Sequence, residues 1–213
     1  MELKNMTEIY RKKDKVFYRD GNKLIKLFEG NYPKENILNE ALNQARVERT
    51  TLHIPRIEAV TSVEGKWAIV MEYIEGETLA ALMKKNPSKE EEYLGTLAEL
   101  QTEISAQRVP LLPRLKDKMY EKISASEYSD TVKYDLQTRL DGLPKHYKLC
   151  HGDFRPSNVI VRGDGTFYIV DWAHATQGNA AADAARTYLI FRLCGETSRA
   201  ETYLRLYCEK TGT

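Results

Sequence analysis

The sequence predicts an α+β fold in which a small antiparallel sheet with one helix precedes a mostly helical remainder that itself carries a β-hairpin. Three observations carry this prediction. Short apolar runs separated by turn signals fill most of the first 75 residues. Apolar positions recur at helical spacing over much of the remaining chain. Two β-rich runs at 159–161 and 167–170, joined by Gly163-Asp164-Gly165, then interrupt the helical part.

The elements follow in order. Thr7 to Lys12 and Lys15 to Arg19 flank a polar Lys13-Asp14 turn, and Asp20-Gly21-Asn22 turns the chain into a third strand from Lys23 to Phe28. Ile37, Leu38, Ala41, Leu42 and Ala45 recur as an amphipathic helix does, ending near Arg46 or Val47. Ile54-Pro55 separates it from two more strands, Ile57 to Thr61 and Trp67 to Met71, which turn at Glu64-Gly65. Beyond Gly76 the pattern is helical over Leu79 to Met83, Glu91 to Ile104, and Leu115 to Leu140 with interruptions. The change of pattern divides the chain into residues 1–75 and 76–213, two closely joined lobes.

Composition narrows the function classes. In 213 residues, 32 basic side chains oppose 31 acidic ones, so the formal charge is only +1. A general nucleic-acid binder shows a basic excess, and none exists here. Cys150, Cys194 and Cys208 cannot all pair with one another and make no Cys-x-x-Cys motif, which fits a reducing compartment. The opening Met-Glu-Leu-Lys-Asn-Met-Thr-Glu lacks a signal peptide's apolar core, and no apolar run reaches bilayer length. The expectation is a soluble cytoplasmic protein, monomeric or weakly dimeric, with neither nucleic acid nor membrane as partner.

Chemistry concentrates between Cys150 and Asp171. A polar loop carrying Asp153 and Asn158 precedes the hairpin, and Asp171 comes directly after it. Because a hairpin brings its two ends together, Asn158 and Asp171 should be neighbours, with Asp153 on the loop above them. An amide and a carboxylate are oxygen donors suited to Mg2+. The further carboxylate can orient or deprotonate a hydroxyl nucleophile. Phosphoryl transfer needs little else. A lone aspartate before a hairpin is most often a turn former, so it is the combination of residue types and spacings that carries the reading.

His151-Gly152-Asp153-Phe154-Arg155-Pro156-Ser157-Asn158, followed thirteen residues later by Asp171-Trp172, resembles the catalytic signature of the aminoglycoside phosphotransferase and choline kinase families. These are small-molecule kinases with a two-lobed, protein-kinase-like fold. The step of five from Asp153 to Asn158 is the step in the protein-kinase catalytic loop. The resemblance implies that Asp153 is the catalytic base, that Asn158 and Asp171 are metal ligands, and that Arg155 lies near the transferred phosphate. It implies Mg2+ as cofactor and ATP, or GTP, as co-substrate. Asp183 falls where the family has an acid bracing the catalytic loop. His174, without a partner at metal-ligand spacing, reads as a loop residue.

The same resemblance asks the first lobe for a strand lysine and a helix glutamate. Lys26 in Leu24-Ile25-Lys26-Leu27-Phe28 and Glu40 in the helix fill those places, and their ion pair would hold Lys26 over the α and β phosphates. Taken singly they would be a solvated lysine and a surface glutamate; Glu35 and Glu48 are alternatives to Glu40. Met71-Glu72-Tyr73-Ile74 looks like the hinge, where backbone groups of Glu72, Tyr73 and Ile74 would receive adenine and Met71 would limit access behind it. No glycine occurs before Gly21, so a glycine-rich phosphate loop is missing. Lys12-Lys13-Asp14-Lys15 stands in its place, either drawing in phosphate or forming a solvated hairpin tip.

The acceptor is the least legible part. After Asp171, four acids (Asp183, Glu196, Glu201, Glu209) face five bases (Arg186, Arg192, Arg199, Arg205, Lys210), which is no obvious receptor for a polycation. Trp172 and Tyr188 are available for an aromatic cage but read more simply as core. The function expected is transfer of the γ-phosphate of ATP to a hydroxyl of a small molecule. A Ser/Thr protein kinase is disfavoured by Trp172 where Phe-Gly would follow Asp171. A non-catalytic nucleotide-binding scaffold is disfavoured because Lys26, Glu40, Asp153, Asn158 and Asp171 are all of competent types.

Overall fold

A computed structural model describes residues 6–212. Residues 1–5, which begin the stretch lacking a signal peptide's apolar core, lie outside the described residues, as does residue 213. The chain runs β1 (Thr7–Lys12), β2 (Lys15–Asp20), β3 (Lys23–Phe28), α1 (Lys34–Val47), β4 (Ile57–Val63), β5 (Lys66–Glu72), β6 (Glu77–Thr78), α2 (Leu79–Lys85) and α3 (Glu90–Ala106). It continues through α4 (Leu115–Ser124), α5 (Asp130–Gly142), β7 (Lys148–Cys150), β8 (Val159–Val161), β9 (Phe167–Ile169), β10 (Thr176–Gly178), α6 (Ala180–Leu193) and α7 (Thr197–Thr211). The fold is α+β, with an antiparallel sheet first and helices dominating later.

The elements cluster into two compact units. One runs up to Glu90 and takes in Arg155–His174; the other joins Glu91–Phe154 to the chain from Ala175 onward. The β8–β9 hairpin thus clusters with the strand-rich unit rather than with the helices that flank it in sequence. The reason lies in its pairing: β8 adds to β6 on one side and to β9 on the other.

In the strand-rich unit the sheet order is β1-β2-β3-β5-β4, all neighbours antiparallel. Alternation along β3 sorts its side chains between two faces. Ile25 and Leu27 pack with Val63, Ala68 and Val70 on one of them. Phe28 packs with Ile69, Met71 and the α1 residues Ile37 and Ala41 on the other. Burying each large apolar side chain contributes about 1.5–3 kcal/mol. Lys26 shares the Phe28 face, so register alone points it at α1. That helix has Pro33 at its N-cap, carries Glu35 in its first turn and Arg46 in its last, and buries Ile37, Glu40, Ala41, Gln44 and Val47 along one stripe.

In the other unit, α3, α6 and α7 supply many of the buried side chains, among them Leu94, Leu97, Phe191 and Tyr203. The segment 115–140, read as interrupted helix, is two helices parted after Ser124. Strands β7 and β10 pair with each other and are only three residues long, too short to leave an alternation pattern. Among the described residues no helix is long and apolar enough to cross a membrane.

Candidate active site

The strand-rich unit holds a cavity of about 560 Å³ walled by Lys26, Glu40, Glu72, Ile74, Asn158 and Asp171, among others. Each arrives by a separate local cause. Lys26 comes from the α1-facing side of β3, and Glu40 from the buried stripe of α1. The two form an ion pair, both almost wholly buried. Lys26 also donates to Asp171 Oδ1 at 3.2 Å. Burial opposes the Lys26 charge, yet the Asp171 and Glu40 carboxylates outweigh it and hold the ammonium above its ordinary range. Burial likewise opposes the Asp171 charge, but Lys26, then Lys15 and Lys12, hold its carboxyl well below the carboxylate range.

The hairpin delivers Asn158 and Asp171. Val170 N–H donates to Asn158 C=O at 3.0 Å, closing the open end of the hairpin so that its flanking residues adjoin. Asp171 adopts φ 68°, a left-handed conformation that a non-glycine residue rarely takes and that clusters at functional sites. Its side chain remains 24% exposed while Lys26 is 4% exposed, so the carboxylate edge is the accessible part of the pair. Arg155 and Ser157 lie on the same wall.

A magnesium ion fits this donor set. Among the described residues no group of three or more His, Cys, Asp or Glu side chains is arranged to hold a metal. An ion here would take one carboxylate and one amide oxygen from the chain, leaving most positions to phosphate and water. That is how Mg2+ is usually held.

The hinge segment is more selective than its sequence. Glu72 N–H donates to Arg56 C=O at 2.9 Å and Tyr73 N–H to Asn22 C=O at 2.8 Å, so neither amide is left for a base. The Tyr73 ring lies under the Arg19 guanidinium, 4.2 Å from ring centroid to Cζ. Glu72 and Ile74 line the cavity. Of the alternatives to Glu40, Glu48 accepts from Ile57 N–H at 2.8 Å and so ties the end of α1 to the start of β4. Glu35 sits exposed in the first turn of α1.

Asp153 belongs to the helical unit, on a loop held by a buried polar cluster. Asp183, 4% exposed, accepts from His151 N–H at 2.9 Å and Gly152 N–H at 2.8 Å, and from Gln101 Nε2 at 3.1 Å. Thr187 Oγ1 donates to Phe154 C=O at 2.9 Å, and Arg186 Nε donates to Gly152 C=O. Gly152 at φ 78° makes the turn that allows Asp183 to take two successive amides. Burial pushes the neighbouring Cys150 thiol up to about 12, with Asp183 adding to the effect, so no thiolate nucleophile is available there. Trp172 is fully buried with its indole N–H donated to Ile169 C=O at 3.0 Å, which makes it a core residue. His174 is exposed in the 3-10 turn after Asp171.

In the sequence Lys15 enters only as part of the basic Lys12-Lys13-Asp14-Lys15 tip, and nothing there ties it to Glu40. Its Nζ meets Glu40 Oε2 at 3.1 Å, making Glu40 a bridge between two lysines. The signal that could have found it is its register: the first residue of β2 pairs with Phe28, the last of β3, at the end of the sheet nearest α1. Gln101 escapes sequence reasoning too, since nothing local marks a helix glutamine as the partner of an aspartate 82 residues away.

Comparison with known proteins bears on the fold and the family. A thermostable mutant of aminoglycoside phosphotransferase APH(4)-Ia, solved as a ternary complex with ADP and hygromycin B, superposes with TM-score 0.69 at 16% identity over 97% of this chain and 78% of that one. A type VIII aminoglycoside-3'-phosphotransferase gives 0.69 at 14% over 98% and 88%. A choline/ethanolamine kinase family protein from Mesorhizobium loti gives 0.55 at 15% over 95% and 68%. At such identities the likeness establishes the fold, which is protein-kinase-like. A search of curated protein sequences gives no significant match. A model of the phosphotransferase enzyme family matches residues 13–213, nearly the whole chain, and so this chain belongs to that family of phosphotransferases.

Proposed function

We propose that the protein transfers the γ-phosphoryl group of ATP to a hydroxyl of a small molecule in a Mg2+-dependent reaction. The observation that carries the proposal is the buried Lys26–Glu40 pair closing on Asp171 at a cavity wall shared with Asn158. In the proposed reaction Lys26 holds the α and β phosphates, and Glu40 keeps its ammonium from swinging away. Asn158 and Asp171 hold Mg2+, which when bound neutralises charge on the β and γ phosphates. Ile74, with the wall at Glu72, faces the base; Tyr73, whose N–H is spent on Asn22, is proposed to act only through its backbone C=O. Arg155 stabilises the transferred group by charge. Asp153 accepts the proton of the attacking hydroxyl, and the bracing of its loop by Asp183 supports that role by fixing where its backbone lies.

Nucleotide and aminoglycoside together occupy the APH(4)-Ia neighbour, which supports ATP as donor and an alcohol as acceptor; GTP is the alternative donor. The balance of acids and bases after Asp171 argues against an aminoglycoside as the acceptor here. The proposed setting is cytoplasmic, monomeric or weakly dimeric, and free of nucleic acid and membrane, in keeping with a charge of +1 and three free cysteines.

The test pairs two variants. MgATP should raise the melting temperature of the wild type, and Asp171→Ala should abolish that shift. Asp153→Asn should keep the shift and lose phosphorylated product in a metabolite screen read by mass. A wild type that shows no shift with either ATP or GTP would end the proposal.

A further inference from the structure

The first turn of the sheet offers charge where related folds offer backbone. Glycine is absent from the β1–β2 tip, and the tip carries Lys12, Lys13 and Lys15. Lys12 lines the cavity, and Lys15 bonds to Glu40, which lies on its wall. The Lys15 ammonium is held at 5.1 Å from the ring centroids of both Phe28 and Tyr32, with its side chain only 16% exposed. The tip itself is pinned, since Glu29 N–H donates to Asp14 C=O at 3.0 Å. An ammonium has three donors, and aromatic faces stabilise its charge without offering an oxygen. Among the described residues Glu40 is the oxygen partner of Lys15, so donors remain for a ligand. Lys26 and Lys15 balance Glu40 and Asp171 in charge, and Lys12 adds positive charge to the wall.

Resting on the nucleotide reading above, we propose that Lys15 and Lys12 grip the β and γ phosphates of the nucleotide with side-chain charge, replacing the backbone amides of a glycine-rich loop. Lys15 has a double part. It bonds the Glu40 oxygen that Lys26 does not, and its remaining donors meet phosphate oxygen. The protein therefore reads the number of phosphates by charge, and it discriminates ATP and ADP from AMP at the tip of β1–β2.

The experiment measures affinity for adenosine, AMP, ADP and ATP with Mg2+ in the wild type, Lys15→Met, Lys15→Arg and Lys12→Ala. Lys15→Met should weaken ATP and ADP by at least about tenfold, the worth of a charge-assisted hydrogen bond, and leave adenosine and AMP within about twofold. Lys15→Arg should restore most of the loss, and Lys12→Ala should show a smaller loss of the same selectivity. Equal weakening of all four ligands by Lys15→Met would reduce Lys15 to a structural role and overturn the proposal. So would an unchanged ATP-to-AMP preference in both Lys15→Met and Lys12→Ala; the exposed Lys12 keeps the test alive if Lys15→Met does not fold. A wild type that binds none of the four would remove the nucleotide reading itself. A wild type that prefers ATP, with variants that keep the preference, removes only this inference.

Discussion

Glu40 is the residue on which the strand-rich site turns, because each of its oxygens meets a different lysine. Glu40→Gln should lower stability only moderately, by roughly 1–3 kcal/mol, since Lys26 keeps Asp171 as a partner. Its effect on turnover should exceed its effect on folding, with kcat falling far more than a drop of about 2–4 °C in melting temperature per kcal/mol lost can explain; a variant of unchanged kcat would show that the pair is not used. A second residue answers to pH. Cys150 holds its proton to about 12 in the fold, whereas an unfolded thiol releases it near 8.5. Between those limits the unfolded chain carries fewer protons, so stability must fall as pH rises through that window. Cys150→Ala should flatten this alkaline decline, measured by denaturant melts at pH 8 and 10. At pH 8 a thiol reagent should modify the exposed Cys194 rapidly and leave Cys150 untouched in the native state.

At the scale of elements, the first turn of α6 acts as a clamp on the loop that carries Asp153. Asp183→Ala leaves the amides of His151 and Gly152 and the Gln101 amide without their acceptor, costing about 2–5 kcal/mol. That should lower the melting temperature by about 2–4 °C for each kcal/mol lost. Asp183→Asn, which keeps one acceptor oxygen, should do less; equal effects would mean that the clamp is not a hydrogen-bonding device. The clamp also shows where sequence reasoning reaches and where it stops. Lys26, Glu40, Asn158 and Asp171 could be placed because strand alternation, helical spacing and hairpin closure are local rules, and local rules survive in a single sequence. Asp183 could be placed only through resemblance. Gln101, Thr187 and Tyr203, which join Asp183 in one buried network, come from α3, α6 and α7. No periodicity marks them, because burial of a polar residue is set by partners far away in the chain. The spent amides of Glu72 and Tyr73 were hidden for the same reason: their acceptors, Arg56 and Asn22, are on other connections.

For the whole molecule, the path of the chain matters more than the change of pattern near residue 75. The strand-rich unit continues to Glu90 and is completed only when the chain returns at Arg155–His174. That returning piece brings Val159, Ile169 and Trp172, all essentially without exposure, and supplies β8 as the partner of β6. It also brings Asn158 and Asp171, so the partner that Lys26 needs besides Glu40 comes from outside the first 90 residues. A fragment of residues 1–90 therefore lacks both apolar cover and the carboxylate that helps satisfy a buried lysine. Removing one partner of a buried charge costs several kcal/mol, and losing the apolar cover of three large core side chains costs a few more. Against a total stability of about 5–15 kcal/mol, the fragment should not fold alone. Expressed by itself, it should show no sigmoidal thermal transition and poorly dispersed amide resonances, while the full chain melts cooperatively. A fragment 1–90 that melts cooperatively would show that the sheet and α1 are sufficient, and that the hairpin contributes chemistry to this unit without contributing its core.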